Sequence, residues 1–482
     1  MGAALGVLIA LFGVGLLVAF AERYSPRANE IRLDAWVLGF ALALSVMVAL
    51  LLSFVAALPR EGTFASWIAA GGQRVSGNFR GQLLQRGLVV AQVAVSVVLL
   101  AGAGLLTRTM MQLSEVETGL VTEDVLTVPV SLFDPTRLDF AADGANKQAY
   151  ESLRREMLAL PGVVEVGVGS TMPLRTSFLA FDVAVEGKAF APGEAPPHAD
   201  VRTASPEFLR AAGIPLVRGR DFSATDAPGG GRVAIINQTL ADRLFKGEDP
   251  IGKQLAFRSE ILRLTPISGD WRTIVGVAGN TQDGGLDAQP RAVVYLPFAQ
   301  EFTIFGGLVV RAGSDAPDLA GTIARIVRRM APQSPAEPVQ TVAQIKDESV
   351  APRRLNAALI SSFGLLAVII AAVGIAGVLA FSVSARTVEI GIRMSLGASG
   401  GQGLRMVLGE GGVLLAIGLA LGVGGAYLGA GVMRGLLFGV APHDPATFIA
   451  VAATMAGIGT LACWIPALRA ARIDPAITMR AA

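Results

Sequence analysis

Arg386-Thr387-Val388-Glu389-Ile390-Gly391-Ile392-Arg393-Met394-Ser395-Leu396-Gly397-Ala398-Ser399 lies between two long apolar runs, Leu355–Ser384 and Leu404–Met433, and leads into Gly400-Gly401-Gln402-Gly403. Each flanking run is long enough to cross a bilayer, for which about 20 mostly apolar residues suffice. A short charged stretch between two such runs reads as an elbow outside the hydrocarbon. Which side of the membrane it occupies fixes the topology of the remaining chain.

The wider composition agrees with that reading. Of 482 residues, 52% are hydrophobic and 16% charged, with a mean hydropathy of +0.56. Soluble domains carry about a quarter charged residues, so long stretches here are nearly uncharged. The net charge of +2 suggests no nucleic-acid partner. Cys463, the one cysteine, sits in an apolar run, so neither an internal disulfide nor a cysteine metal site is expected. His198 and His443 are far apart and read as surface or loop residues.

Six segments have the length and polarity of membrane-spanning helices: Gly2–Phe20, Ala35–Leu58, Gly87–Leu106, Leu359–Phe381, Val407–Val432 and Phe448–Leu468. All are rich in Gly and Ala, which suits close helix packing in lipid. Orientation follows from the arginines of the short connections. Segment 59–86 carries Arg60, Arg74, Arg80 and Arg86 against Glu61. The elbow segment has Arg386, Arg393 and Arg405 against Glu389, and the tail has Arg469, Arg472 and Arg480 against Asp474. These three segments face the cytoplasm, and residues 112–352 then lie outside. Residues 1–21 also resemble a signal peptide ending in Ala19-Phe20-Ala21, but they lack a positive leading region. Two runs, Arg86–Thr118 and Pro352 to the elbow, look longer than the bilayer requires, and both adjoin the external segment as candidate stalks. An ordinary helix followed by a loop is the simpler alternative.

Residues 119–350 change character. Strand patterns occur at Val125–Val130, Val163–Val168, Phe181–Val185, Val233–Ile236, Thr273–Val277 and Val293–Leu296. Helical spacing links Tyr150, Leu153, Met157 and Leu160, and again Leu319, Ile323, Ile326, Val327 and Met330. A third helix is expected over Gln238–Phe245. The fold class read from the chain is therefore membrane α-helical, with about six transmembrane helices, plus an extracytoplasmic mixed α/β domain. Gly247-Glu248-Asp249-Pro250-Ile251-Gly252-Lys253 has the spacing of a phosphate-binding loop, but Gln254 stands where the magnesium-binding hydroxyl belongs. It also follows a helix rather than a strand, so a turn is the better reading. No Ser-His-Asp or Cys-His arrangement is suggested, and the expectation is that the chain is not an enzyme. Few ionisable residues lie within the spans, Glu410 being near a span end, which argues against an ion-coupled carrier.

The chain also repeats itself. Asp34–Trp67 matches Asp444–Ile477 at one constant offset, with Phe54-Val55-Ala56-Ala57-Leu58 over Trp464-Ile465-Pro466-Ala467-Leu468. Gly13-Val14 roughly matches Gly422-Val423. The second unit reads as span, external domain, span, elbow, span, span, whereas the first contains only its last two spans. The expectation is an N-terminally incomplete duplication.

These features together resemble the FtsX-like/MacB-like permeases of ABC transporters. The elbow motif from Arg386 to Ala398 carries part of the resemblance. The external part is similar to the MacB-type periplasmic core domain at Ser205-Pro206-Glu207-Phe208-Leu209-Arg210, Gly213-Ile214-Pro215 and Gly219-Arg220-Asp221-Phe222. Ile236-Asn237-Gln238, Pro250-Ile251-Gly252-Lys253 and Val275-Gly276-Val277 add to it, and make the phosphate-loop look-alike a structural turn. The duplication is similar to the duplicated orphan permeases, from which this sequence departs by lacking most of a first unit and the ATPase domain fused to MacB.

The resemblance implies five regions: 1–58, the last two transmembrane helices of an incomplete first unit; 59–86, a cytoplasmic linker; 87–118, a transmembrane and stalk helix; 119–350, the periplasmic core domain; and 351–482, an FtsX-like permease domain with three transmembrane helices. It implies a multi-pass protein of the bacterial inner membrane. It also implies that Arg386, Glu389, Ile390, Gly391, Arg393, Leu396 and Gly397 belong to a segment that docks on a cytoplasmic ABC ATPase. No cofactor would be bound by this chain, since ATP and Mg would sit on the partner ATPase. Further implied partners are a second permease unit, from a second copy or a missing N-terminal half, the lipid bilayer, and a periplasmic adaptor. The residues fit such a role: on a helix Arg386, Glu389 and Arg393 share one face, and Val388, Ile392 and Leu396 form an apolar stripe. A lipid-interface helix anchored by its arginines is the plainer alternative. Two other functions stay open at this point: a module acting on an extracytoplasmic partner, and an inactive truncated permease.

Overall fold

The structure, a computed structural model, describes residues 13–15, 18, 34–57, 79–132, 143–385, 387 and 400–471, apart from 176, 178, 189–195, 260, 261, 263–266, 268, 303–305, 315, 317 and 336. It divides into two compact units, Met1–Ser114 with Ala351–Ala482, and Glu115–Val350.

The external unit begins with β1 (Val125–Pro129), α3 (Asp143–Leu158) and β2 (Val163–Gly169), and ends with β10 (Gly307–Ala312), α6 (Leu319–Met330) and β11 (Gln340–Thr341). Their order in the sheet is β11-β1-β10-β2, and every pairing among them is antiparallel. This is the split βαβ arrangement, two strand–helix–strand halves interleaved in one sheet. The helices cover one face of it. Tyr150, Leu153 and Met157 of α3 and Leu319, Ile323 and Ile326 of α6 are buried with Leu126, Val128, Val166, Val168, Leu308 and Val310. The buried Tyr150 hydroxyl donates to the Val130 carbonyl at 2.7 Å.

Between β2 and β10 the chain inserts β3 (Ala180–Val185), β4 (His198–Ala204), α4 (Phe208–Ala212), β5 (Leu216–Gly219), β6 (Val233–Asn237), α5 (Gln238–Phe245), β7 (Gln254–Arg258), β8 (Arg272–Ala278) and β9 (Val293–Pro297). Six of these strands close on themselves in the cycle β4-β3-β7-β8-β6-β9-β4, with β4–β9 and β6–β8 parallel. Strand side chains alternate between faces, so closure gives each strand an inner row. That row is Phe181, Val183 and Val185, then Ala199 and Val201, Leu255 and Phe257, Ile274, Ala234 and Ile236, and Val294 and Leu296, all in one core. The outer faces of β6 and β9 share a second core with Phe208 and Leu209 of α4 and with Val125 and Val309 of the split sheet. Gly167 and Gly169 allow this wedge, because a Cβ at either would overlap Phe208.

In the other unit, α1 (Ala35–Ala57), α2 (Phe79–Ser114), α7 (Val342–Ala385), α8 (Gly400–Gly429) and α9 (Pro445–Ala471) are the described helices. Among the described residues, four segments are long and apolar enough to cross a membrane, namely Leu83–Ser114, Val342–Ser384, Gly401–Leu436 and Pro445–Leu468. Ala35–Met47 is a shorter apolar stretch within α1. Of the expected span Gly2–Phe20, residues 13–15 and 18 are described, as helix, and the rest falls outside the described residues. Helix α7 extends further than its sequence suggested. It begins at Val342 and runs through Pro352 rather than starting there.

Small residues set the helix packing here. A Cβ on Gly418 or Gly422 of α8 would lie 2.7 Å from Val93 or Val97 of α2, and one on Gly459 of α9 would press on Leu415 of α8. Lipid tails are as apolar as leucine, so helices in a bilayer associate through such close approach and through polar contacts. Phe363, Leu365, Leu366, Ile369, Ile370 and Val373 of α7 remain exposed.

Candidate functional site

Helices α7 and α8 end at Ala385 and begin at Gly400, on either side of the elbow. Arg386, Glu389, Ile390, Gly391, Arg393, Leu396 and Gly397 lie outside the described residues. Thr387 is described, and its hydroxyl lies 3.0 Å from the carbonyls of both Val383 and Ser384 in the final turn of α7.

The helices that flank the elbow meet at a polar junction. Glu410 is the single carboxylate on α2, α8 and α9. Its Oε2 accepts a hydrogen bond from Ser382 of α7 at 3.2 Å and lies 3.6 Å from Nη2 of Arg86 of α2. The Glu410 side chain is 28% exposed and that of Arg86 42%. The neighbouring Gly411 lets α8 close on Cys463 of α9 and Leu379 of α7. Four helices therefore converge at this level, around the apolar cluster of Leu379, Val383, Val407, Cys463 and Ala467.

A second junction lies at the other end of α2. Arg108 pairs with Asp444, which caps α9 by accepting from the Thr447 amide at 2.9 Å and the Thr447 hydroxyl at 2.6 Å. Those Thr447 bonds, with Arg108 alongside, hold the Asp444 carboxyl below the usual carboxylate range. The two aspartates matched in the sequence repeat hold the same position in their helices. Leu38 N bonds Asp34 O at 3.1 Å and Phe448 N bonds Asp444 O at 3.3 Å, so α1 and α9 both start one residue after the matched aspartate.

The phosphate-loop look-alike is a turn joining α5 to β7. Its amides are taken up within the fold: Glu248 N bonds Phe245 O at 2.9 Å, Gly252 N bonds Ile274 O at 2.8 Å, and Lys253 N bonds Pro250 O at 3.2 Å. Lys253 pairs with Glu248 and lies 5.1 Å over the Phe245 ring. These bonds make the stretch a structural turn.

Two buried charge clusters in the external unit were not anticipated from sequence. Arg272 Nη2 donates to Glu301 at 2.7 Å, and Arg232 Nη1 donates to the same oxygen at 3.0 Å. Arg202 Nη1 donates to Asp283 at 2.8 Å, beside an Asp200 carboxyl that pairs with Arg291 at 2.9 Å. Burial raises the Asp200 carboxyl, against the pull of Arg291 and Arg202. The paired geometry fits a structural role, since ions removed from water need such partners. No group of three or more His, Cys, Asp or Glu that could hold a metal occurs among the described residues.

Comparison with known proteins places the chain. Residues 87–347 match the MacB-like periplasmic core domain, and residues 361–475 match the FtsX-like permease C-terminal family. The first match covers more than half of the chain, and the chain belongs to this MacB-like, FtsX-like family of ABC transporter permeases. It is 26% identical over 280 residues to the uncharacterized ABC transporter permease YknZ of Bacillus subtilis, covering 57% of this chain and 68% of that protein. It is 30% identical over 291 residues to the macrolide export ATP-binding/permease protein MacB of Nitrobacter winogradskyi, covering 57% of this chain and 42% of that one. The chain thus spans about two-fifths of the length of the MacB relatives it matches, such as the 41% covered in Neisseria meningitidis MacB. Among solved structures, the periplasmic region of MacB from Actinobacillus actinomycetemcomitans aligns with 49% of this chain and 96% of its own, at 13% identity and TM-score 0.32. The extracellular domain of YknZ aligns with 45% of this chain and 100% of its own, at 14% identity and TM-score 0.28. The assignment of the external unit rests on the family match and on the strands described above. The protein is a membrane protein, an ABC transporter permease of the MacB/FtsX type.

Proposed function

We propose that this permease converts ATP hydrolysis on a separate cytoplasmic ATPase into movement of its external domain. The segment from Arg386 to Gly397 is the docking element. Its arginines and Glu389 orient it, and Val388, Ile392 and Leu396 fill a groove on the partner. The observation that carries the reading is the course of α7. One helix includes Val342, buried in a core of the external unit, and Leu379 and Val383, buried among the membrane helices, and ends at the elbow. A displacement of the elbow is in this way a displacement of the end of that helix.

On this reading the chain spans the bacterial inner membrane several times and performs no chemistry itself. ATP and Mg are bound by the partner, and export or release of material already outside the membrane is the outcome. A second elbow, from a second copy or another permease unit, completes the pair that the internal duplication implies. A periplasmic adaptor is a further partner. The test is to purify the tagged chain from its native membranes and assay ATP hydrolysis. Co-purifying activity that Glu389→Lys or Gly391→Pro uncouples supports the proposal. A purified complex without ATPase activity, or variants with unchanged transport, contradicts it.

A further inference from the structure

We infer that Glu410 is the positioning residue that passes elbow movement sideways from α7 and α8 to α2. The inference rests on the coupling role proposed above and names the joint through which it acts. An ionisable side chain within a span is costly and is retained where it has a partner and a task. On α2, α8 and α9 there is one such carboxylate, and it sits where the helices on both sides of the elbow come together.

The geometry is specific. A single oxygen, Oε2, accepts a hydrogen bond from Ser382 of α7 and forms an ion pair with Arg86 of α2. Ser382 precedes the elbow by one helical turn, while Glu410 lies in the helix that follows it. A shift of α7 against α8 therefore changes the same contact that holds α2. The adjacent Gly411 removes the side chain that would otherwise hold α8 away from Leu379 and Cys463, so α8 lies close to both neighbouring helices at this level. The Arg108–Asp444 pair at the other end of α2 joins it to the start of α9 and involves neither elbow helix, so it does not take this role. A purely cohesive function for Glu410 would alter stability alone, since a polar contact between membrane helices then serves only to hold them together.

The test uses the tagged chain with its co-purifying ATPase and compares Arg86→Glu, Glu410→Arg, the double reversal and Glu410→Gln. For each, thermal unfolding, the amount of bound ATPase and ATP turnover are measured. The single reversals and Glu410→Gln are expected to keep the ATPase bound and to lower turnover about tenfold, within the usual range for coupled sites. The double reversal is expected to restore turnover to about half of the wild-type rate or better, as for a direct pair. Two results overturn the inference: turnover unchanged in the single variants, or lowered only in proportion to folded protein. A double reversal no better than the singles overturns it too. Wild-type complex with no ATP turnover instead brings down the coupling role itself, so the two failures are distinguishable. Glu410→Gln, which introduces no charge, separates loss of the contact from failure to insert.

Discussion

The external unit and the membrane helices are held together by opposite means. In the external unit, large side chains such as Phe181, Phe257, Tyr150 and Met157 are buried to the last few per cent of their surface. In the membrane unit close helix contacts are made where there is no side chain, as at Gly411, Gly418, Gly422 and Gly459. Water drives the first arrangement, since each apolar group removed from it contributes about 25 cal/mol per Å². Lipid offers no such gain, and close approach and polar pairs take over. One sequence thus carries two packing rules, and a substitution has consequences set by the solvent of its unit.

Variants that exchange the rules sharpen the contrast. Leu153→Ala, in the core beneath α3, should destabilise the external unit by about 3 kcal/mol, read as a lowered unfolding midpoint of its transition. Gly418→Leu should cost the membrane bundle about 2 kcal/mol, because the new side chain meets Val93 and overpacked sites seldom relax fully. Asp226→Asn is a smaller change in the external unit. Arg220 holds Asp226 by two bonds of 2.7 and 2.9 Å, and that pairing lowers the carboxyl below its usual range. Such a lowered acid stabilises the fold at neutral pH, an advantage lost as pH falls through the lowered value. Since Arg220 is half exposed, the substitution should cost about 1 kcal/mol at pH 7 and little in acid. Leu365→Ala is the control. The same loss of a leucine side chain on the exposed face of α7 should shift the bundle by less than about 0.5 kcal/mol in lipid. A shift as large as that of Leu153→Ala would break the comparison.

Much of the external unit was legible because its strands alternate. All six strand patterns read from sequence are strands, and Gln238–Phe245 is a helix with those ends. Strand β4 was not legible, since His198-Ala199-Asp200-Val201-Arg202-Thr203-Ala204 buries Asp200, Arg202 and Thr203 where alternation would put apolar residues. Closure of the barrel was equally hidden. It depends on β4 pairing with β9 across most of the insert, and nothing local encodes that. The same limit applies at the junction. Glu410 stood out as a carboxylate near a span end, but its partners Arg86 and Ser382 are brought to it by helix packing alone. Apart from Thr387, candidate residues 386–397 lie outside the described residues, and their part in docking is a proposal.

The central claim is that the elbow is a cytoplasmic docking surface for an ATPase. Its most direct test is the accessibility of a cysteine placed there, with Cys463→Ala removing the native thiol and Ala398→Cys supplying the probe. Sealed vesicles of both orientations are treated with a membrane-impermeant maleimide, before and after the ATPase is stripped from the membrane. The account predicts labelling only from the cytoplasmic side, slowed while the ATPase is bound. Labelling from the external side, or a rate indifferent to the ATPase, would contradict it.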